Sequence, residues 1–312
     1  MPRLRLGVAL LVPAPLDSEI DGLRRALGDG ALERVPPHLT LVPPVNVRVE
    51  DLPEALAVLR QAAARHSPFV ARLGPPTTFA PATATVHLGV HEDEGGEIVR
   101  RLRDDVFVGP LERTLTFGFE PHVTLADDAL DDRRAAALVA LSDYVVEVPF
   151  DRVHLLQEQR HGDAHRRWVP VADVPFGPRR VVGRGGVELE LVVSSLLDPE
   201  AAAFESGEWP DDEPHSAATA VPAGCRPVVV TARRRGEVVG VARGGVGPDR
   251  RELCSVLVAR DQRAQGVARQ LLAAFGHEAD QASAGGDLHD EPDGTAVGGR
   301  AQEHDRGDAR GP

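Results

Sequence analysis

Two short runs of this sequence share a pattern that could carry acid–base chemistry on phosphate. Pro37–Leu41 reads PHLTL and Pro121–Leu125 reads PHVTL. Each run holds a histidine and, two residues later, a threonine: His38 and Thr40, then His122 and Thr124. Alternate side chains of a strand share a face, so we expect each histidine to lie beside its threonine while the apolar residues face the core.

Two such pairs brought face to face could catalyse in-line attack on a phosphodiester without a metal. A neutral imidazole transfers protons near pH 7, so one histidine would take a proton from the attacking oxygen and the other would protonate the leaving oxygen. The threonine hydroxyls would stabilise charge on the non-bridging oxygens. A single His-x-Thr run is often an ordinary strand, but two copies with a shared proline favour the catalytic interpretation.

The repeated motif resembles the hallmark of the 2H phosphoesterase superfamily, especially its 2'-5' RNA ligase-like and RNA cyclic phosphodiesterase branch. The resemblance covers about the first 176 residues. It implies a bilobed, pseudo-symmetric α+β fold with one motif in each half, and a metal-independent phosphoesterase acting on 2',3'-cyclic phosphate or 2'-5' linked RNA ends. The substrate would be an RNA end or a small cyclic nucleotide. Which histidine is the acid stays open.

The remaining polar candidates have ordinary interpretations. His87 and His154 lie on apolar strand-like segments, where histidines are usually packed or at the surface. His161 and His165 stand four apart, a spacing that suits a metal only on a helix, and the glycine and aspartate between them favour a hairpin turn. We therefore predict no metal site. Four arginines could contact a substrate phosphate but are equally typical of a solvated face: Arg133, Arg134, Arg166 and Arg167.

A second pattern lies near the end of the sequence, where Val256–Leu272 predicts a strand, a tight loop and an amphipathic helix. Within it, Arg263–Ala268 fits Arg/Gln-x-x-Gly-x-Gly/Ala. Small residues at Gly266 and Ala268 would let a pyrophosphate approach backbone N–H groups at a helix N-terminus. The alternative is a turn that permits close helix packing. The segment resembles the acetyl-CoA signature of GNAT N-acetyltransferases, whose order of hairpin, strand and loop–helix it shares.

This second resemblance implies acetyl-CoA as a cofactor and a set of binding residues. The pantetheine arm would lie along the backbone of Leu257 and Val258, and the pyrophosphate would lie on Arg263, Ala264, Gln265, Gly266, Val267 and Ala268. The family normally continues with a further strand, a helix and a closing hairpin, whereas a polar tail follows Gly276 here, so we expect a partial GNAT-like α/β domain. A downstream tyrosine acid is missing because the only tyrosine is Tyr144. Glu252 could act as a base, although a surface carboxylate is the more ordinary interpretation.

The elements that must position these residues divide the chain. Helical periodicity at Asp17–Leu27, Val49–His66, Glu97–Phe107 and Asp131–Leu141 alternates with strand-like segments in the first part of the chain. We predict a phosphoesterase domain over 1–176, a Pro/Gly/Arg-rich linker over 177–186, the GNAT-like domain over 187–276 and a disordered acidic tail over 277–312.

Composition limits partners and location. The 312 residues suit two domains, and the net charge of -13 opposes binding to long nucleic acid while permitting a short RNA end in a local pocket. Two cysteines are too few for a disulfide framework, and the apolar run Leu6–Val12 is too short to cross a membrane. We expect a cytoplasmic protein without a membrane partner, and the sequence does not indicate its oligomeric state.

Three functions compete. The first is the phosphoesterase. The second is an N-acetyltransferase, with an unnamed acyl acceptor, in which the first domain only binds the substrate. The third is a non-catalytic RNA or nucleotide binder. Intact histidines in both motifs favour an enzyme over a binder, and the polar tail in place of the closing GNAT elements favours the phosphoesterase over the transferase.

Overall fold

A computed structural model of the chain describes residues 2–161, 165–178, 180–182, 189–209, 221–247 and 250–285. The first unit is an antiparallel eight-stranded sheet with four α-helices. Its strands are β1 (Arg3–Leu11), β2 (His38–Arg48), β3 (Phe69–Thr78), β4 (Val86–Val90), β5 (His122–Ala126), β6 (Val146–Phe150), β7 (Arg152–His161) and β8 (His165–Pro175). Its α-helices are α1 (Leu16–Leu27), α2 (Leu52–Ala63), α3 (Glu97–Val106) and α4 (Asp131–Ala140).

The strand order gives the first sheet an internal pseudo-symmetry. The strands run β6-β3-β4-β5-β2-β1-β7-β8, so β5 and β2 are the central pair and each is followed outward by three strands of its own half. The two His-x-Thr runs begin these two central strands. The bilobed, pseudo-symmetric architecture that the sequence predicts is therefore present, with one motif in each half.

The helices bury their apolar stripes against the side of the sheet opposite the two motifs. Ile20 of α1, Leu56 of α2 and Leu102 of α3 are almost completely buried in one core. The apolar residues of the two motifs enter the same core: Leu39, Leu41, Val123 and Leu125. Because side chains alternate along a strand, the histidines and threonines face away from that core. This alternation confirms the side-chain orientation that the sequence predicts.

The second unit is a five-stranded antiparallel sheet of order β13-β12-β11-β10-β9 with two α-helices among its described residues. A tight turn joins two of the strands through Arg235 and Gly236, whose φ values of 55° and 88° suit a two-residue hairpin. The strands are β9 (Arg180–Val182), β10 (Leu189–Ser194), β11 (Arg226–Arg234), β12 (Glu237–Val246) and β13 (Arg251–Val258), and the helices are α5 (Pro199–Glu208) and α6 (Val267–Gly285).

Three boundaries differ from the sequence prediction. Part of the predicted linker forms β9, where Val182 pairs with Leu189 of β10. The sequence also predicts a short helix over Pro199–Phe204 and an acidic loop from Glu205, but α5 continues to Glu208, because Glu205 is buried and accepts a hydrogen bond from Arg243 at 2.9 Å. The predicted end of the folded chain near Gly276 is also corrected, since α6 continues to Gly285 and buries Ala279. The rest of the predicted tail, 286–312, lies outside the described residues.

Buried polar contacts join the two units. Asp173 of β8 accepts hydrogen bonds from Arg152 at 2.6 Å and from the backbone N–H and hydroxyl of Ser195, and it also accepts one from the N–H of Leu196 at 2.9 Å. A second contact pairs Arg60 of α2 with Glu200 of α5 at 3.1 Å. The Asp173 carboxylate therefore joins the units by accepting hydrogen bonds from residues of both.

Across the parts of the chain that the structure describes, no helix has the length and apolar character needed to cross a bilayer.

Candidate active site

The central strand pair places the two motifs side by side. Leu39 of β2 faces Val123 of β5 in an antiparallel register. One step along each strand, that register sets His38 against Thr124 and Thr40 against His122. Cross-strand neighbours project to the same face of a sheet. The four predicted residues therefore form one cluster on the side away from the helices, here called the His–Thr face.

Both histidine rings are held by the same local hydrogen bond. The Nδ1 of His38 lies 2.8 Å from the carbonyl oxygen of Pro36, and the Nδ1 of His122 lies 2.7 Å from that of Glu120. A carbonyl oxygen only accepts, so Nδ1 must carry the proton in each ring. In the neutral ring this leaves Nε2 as the proton acceptor. Each carbonyl lies two residues before its histidine, so the repeated sequence motif itself builds the repeated geometry.

The surroundings of His38 favour its neutral form. Burial lowers the pKa of His38 below its ordinary 6.5, and the nearby positive charges of Arg24 and His122 lower that pKa further. The hydrogen bond to Pro36 and the charge of Asp127 act in the opposite direction without reversing the shift. His38 is therefore uncharged and able to accept a proton at neutral pH.

An apolar recess of about 100 Å³ opens beside His38 and Thr40. Gly7 lines this recess, and a methyl group added to it would lie 3.5 Å from the Trp168 ring and 3.3 Å from a backbone oxygen. The other lining residues are Val8, Ala9, Val35, Val42, Pro44 and Leu156. A planar apolar group of a substrate could enter here while its phosphate lies on the His–Thr face.

A third histidine lies beside the cluster, although the sequence analysis predicts only packing or surface exposure for it. His87 of β4 faces Thr124 of β5 and is 3% exposed. Its ring centroid lies 5.1 Å from that of His122 and 3.8 Å from that of Phe79. Burial first, and then the charge of His122, lower the pKa of His87 to about 4. Its role depends on the pairing of β4 with β5, which no local sequence pattern indicates.

The other candidates lie elsewhere. Arg134 pairs with Asp131 at 2.7 Å and Arg166 with Glu158 at 3.1 Å, so both are engaged in ion pairs. Arg133 lies beside Gly28, where its guanidinium occupies the space a side chain would need.

Arg167 lies on β8 opposite Gln159. His154 faces Ala9 of β1, and burial lowers its pKa to about 4. His161 ends β7 and His165 begins β8, and the two residues pair across these strands, while residues 162–164 lie outside the described residues. The described ranges contain no group of three or more His, Cys, Asp or Glu residues arranged to hold a metal ion.

In the second unit, the loop before α6 forms an open pocket of about 660 Å³. Ala264 and Gly266 have φ values of 60° and 83°, and this left-handed backbone bends the loop tightly before α6 begins at Val267. The residues predicted from the sequence line the pocket together with Gln262 and Arg269: Val258, Arg263, Ala264, Gln265, Gly266, Val267 and Ala268. Leu257 is one residue earlier on β13, paired with Val241 of β12.

Side-chain hydrogen bonds brace this loop. The Nε of Arg263 donates to the carbonyl of Val258 at 3.1 Å, and Gln265 accepts from Arg234 at 2.7 Å. The first N–H groups of a helix have no partner within the helix, and they carry its positive dipole end. A pyrophosphate could bind these groups without rearrangement of the loop.

The candidate base of this unit, Glu252, and the one tyrosine of the sequence, Tyr144 of the first unit, are both engaged in other contacts. Glu252 is paired with Arg250 at 2.5 Å at the surface. Tyr144, in the first unit, donates its hydroxyl to Glu19 at 2.8 Å, and burial raises the pKa of that hydroxyl.

Comparison with known families agrees with the two-part organisation. Residues 12–162 match the 2'-5' RNA ligase superfamily, and residues 193–293 match the acetyltransferase (GNAT) family. A Bacillus pumilus protein provisionally named a phosphoesterase is 30% identical over 161 residues, which cover 51% of this chain and 92% of that protein. A Bacillus mycoides protein with the same provisional name is 27% identical over 161 residues, covering 51% of this chain and 91% of its own.

Solved structures give weaker likenesses. Escherichia coli LigT, crystallised with 3'-AMP, is 18% identical with a TM-score of 0.40, and the likeness covers 56% of this chain and 99% of that protein. A Thermus thermophilus protein is also 18% identical, with a TM-score of 0.41, and the likeness covers 57% of this chain and 100% of that protein.

Proposed function

The chain belongs to the 2'-5' RNA ligase superfamily through its first unit, and on that premise we propose that this unit is a metal-independent phosphoesterase acting on 2',3'-cyclic phosphate or 2'-5' linked RNA ends. The observation that carries the proposal is the paired geometry of His38 and His122. Both rings lie on one face of adjacent strands, and both have Nδ1 bound to a carbonyl two residues earlier. Two histidines in this arrangement supply one base and one acid for a single displacement at phosphorus.

His38 is the proposed general base for hydrolysis. Its pKa lies below the ordinary value, so the ring is neutral near pH 7 and Nε2 can take a proton from an attacking water. The water oxygen forms a new bond to phosphorus as the bond to one ribose oxygen breaks. His122, entering the step protonated, gives its proton to that leaving ribose oxygen. The products are a phosphomonoester and a free ribose hydroxyl.

Thr40 and Thr124 are the proposed donors to the non-bridging phosphate oxygens. Each threonine lies two residues from the histidine of its own motif along the strand and opposite the histidine of the other motif across the strand pair. Hydroxyl hydrogen bonds directed at developing charge stabilise the transition state more than the substrate. The apolar recess next to Trp168 and Gly7 suits a nucleobase attached to the reacting phosphate.

The deciding experiment uses the purified full-length chain and an oligonucleotide that ends in a 2',3'-cyclic phosphate, in buffer that contains EDTA and no CoA. We expect conversion to a phosphomonoester, followed by chromatography and mass. Parallel reactions with 2'-5' and 3'-5' linked dinucleotides define which linkage is accepted. The proposal would be refuted if none of the three substrates is converted, or if conversion requires an added divalent metal.

For the second unit we propose acetyl-CoA binding at the 263–268 loop, with the pantetheine arm along Leu257 and Val258. The braced loop, the pocket and the start of α6 support this assignment. The alternative function is an N-acetyltransferase whose first unit binds the substrate. Acetylation of an amine by the full chain, together with no phosphodiester turnover, would favour that alternative. In domain terms, we propose a phosphoesterase over 1–176 and a GNAT-like unit whose sheet begins at β9.

A further inference from the structure

The residues that flank the two threonines of the His–Thr face differ between the two halves of the first sheet. The cross-strand neighbour of Thr40 on β1 is Ala9, and the cross-strand neighbour of Thr124 on β4 is His87. These neighbours are equivalent under the pseudo-symmetry of the strand order. The first half therefore places a methyl group where the second half places an imidazole. The surroundings of His38 and His122 therefore differ between the two halves of the sheet.

Three rings pack together in the second half. Phe79 and His87 are stacked, with centroids 3.8 Å apart and planes 19° from parallel. The ring of His122 meets both at a steep angle, 86° to Phe79 at 5.0 Å and 67° to His87 at 5.1 Å. Edge-to-face contacts at these distances are favourable and orient the rings. Phe79 and His87 therefore restrict rotation of the His122 ring through these edge contacts.

We propose that His87 is a positioning residue that, stacked on Phe79, fixes the ring orientation of His122 as proton donor to the leaving oxygen. This role rests on the proposed phosphoesterase function. His87 itself transfers no proton, because its ring is 3% exposed and its Nδ1 is buried without a hydrogen-bond partner among the described residues. Its pKa of about 4 also keeps it uncharged at neutral pH, so it adds no repulsion to a protonated His122.

The orientation matters because, within the described ranges, the one hydrogen bond shown for the His122 ring is that of its Nδ1. Its Nδ1–H bond to Glu120 defines one ring atom but still permits tilting about that bond. A displacement of about 1 Å at a reacting group can lower a rate about a hundredfold. Gly89, the β4 neighbour of His122 on the same face, has open space where a side chain would be, so it does not restrict the ring.

The test compares His87→Ala with His87→Phe. We expect His87→Ala to lower kcat about tenfold to a hundredfold with little change in KM, because the ring that is lost does not touch substrate. His87→Phe restores a ring that can stack on Phe79 and contact His122, so it should recover most of the lost kcat.

Phe79→Leu, which removes the stacking partner, should give an intermediate loss. His91→Gln, a histidine change just beyond the same strand, is the matched control and should behave as wild type.

Nitrogen NMR of the His122 ring gives a readout independent of turnover. At a pH high enough for the ring to be neutral, the wild type should show one tautomer, protonated at Nδ1, and in His87→Ala the ring signals should indicate a mixture or exchange. Unchanged kcat and His122 signals in His87→Ala would overturn the proposal, and so would a His87→Phe variant as slow as His87→Ala. If the wild type shows no phosphodiester turnover, the proposed function fails, while the NMR comparison still decides the role of His87.

Discussion

Leu39 and Val123 face each other across the centre of the first sheet, and this one buried pair aligns the whole candidate site. Neither residue can take part in chemistry. Their antiparallel register nevertheless brings the histidine of each motif next to the threonine of the other. A shift of one residue between the two strands would turn one of the motifs into the core. The apolar positions of the motifs therefore determine the geometry of the polar ones.

Removing either histidine ring of the His–Thr face should nearly abolish turnover. We expect His38→Ala and His122→Ala each to lower the rate of cyclic-phosphate conversion by about a hundredfold or more, the usual scale for one general acid or base. Steady-state kinetics measures the effect, and circular dichroism should show a folded protein in both cases. Arg101→Ala, at an exposed position on α3, is a control that should retain the wild-type rate. Near-normal turnover in either histidine variant would contradict the two-histidine assignment.

The pH–rate profile should report the lowered pKa of His38. As base, His38 must be neutral, so kcat/KM should rise with pH through its pKa, and the midpoint of this acid limb should lie below 6.5. At higher pH the rate should fall when the acid loses its proton, which gives a bell-shaped curve. An acid limb centred above 6.5, or a rate that stays level into alkaline pH, would contradict the assigned roles.

Acid should destabilise the first unit partly through His87. The folded-state pKa of about 4 lies below the ordinary 6.5, so between these values the unfolded chain binds more protons. The contribution to stability is complete above about pH 6.5 and is lost as the pH falls towards 4, a total of about 3 kcal/mol.

Urea unfolding at pH 7.5 and 4.5, followed by the fluorescence of Trp168 in a Trp209→Phe background, would measure this loss. His87→Phe should lose less stability than the wild type over the same interval. An equal loss in both proteins would show that His87 is not responsible.

Asp173 should be a main determinant of how the two units unfold. Its side chain is fully buried, and replacing it by Asn leaves Arg152 without its buried partner, so we expect a cost of about 3 kcal/mol or more. Calorimetry should resolve separate transitions for the two units, and protease should cut more readily near residues 177–188. Asp151→Asn removes the exposed partner of the same arginine and should cost less than about 1 kcal/mol. Equal effects of the two substitutions would contradict this prediction.

CoA should raise the melting temperature of the second unit if the loop before α6 binds its pyrophosphate, because binding to the native state stabilises it. Gly266→Glu should abolish the shift by placing a negative charge at the helix N-terminus. Gly276→Glu, later in α6 where an added side chain meets nothing within 4 Å, is the matched control and should keep the shift. A wild-type protein that CoA does not stabilise would remove support for the cofactor assignment.

The sequence predicts the parts of the site that are local. Each His-x-Thr run contains its own alternation, its own proline and the carbonyl that holds its ring, so residues a few positions apart are enough to indicate it. The loop at Arg263–Ala268 is similarly local. His87 and Trp168 could not be assigned this way, since β4–β5 pairing brings one to His122 and the other reaches Gly7 across β7.

Segment boundaries were predicted less well where tertiary contacts override local composition. Arg180–Val182 lies among Pro, Gly and Arg residues, yet it forms an edge strand because β10 offers it a partner. Similarly, α6 extends past Gly276 because Phe275 and Ala279 cover the second sheet. Small and acidic residues beyond that point give little periodicity of their own, so the sequence alone indicates disorder there.

The junction between β2 and β5 is also the least extensively paired seam of the first sheet, with Leu39 and Val123 as its one registered pair. Hydrogen bonding between these strands therefore holds the two lobes together only weakly. A phosphate bound by His38 and Thr40 on one lobe and by His122 and Thr124 on the other would connect the two lobes across this strand pair. The bound phosphate would then add contacts between the two lobes that the paired strands themselves provide sparingly.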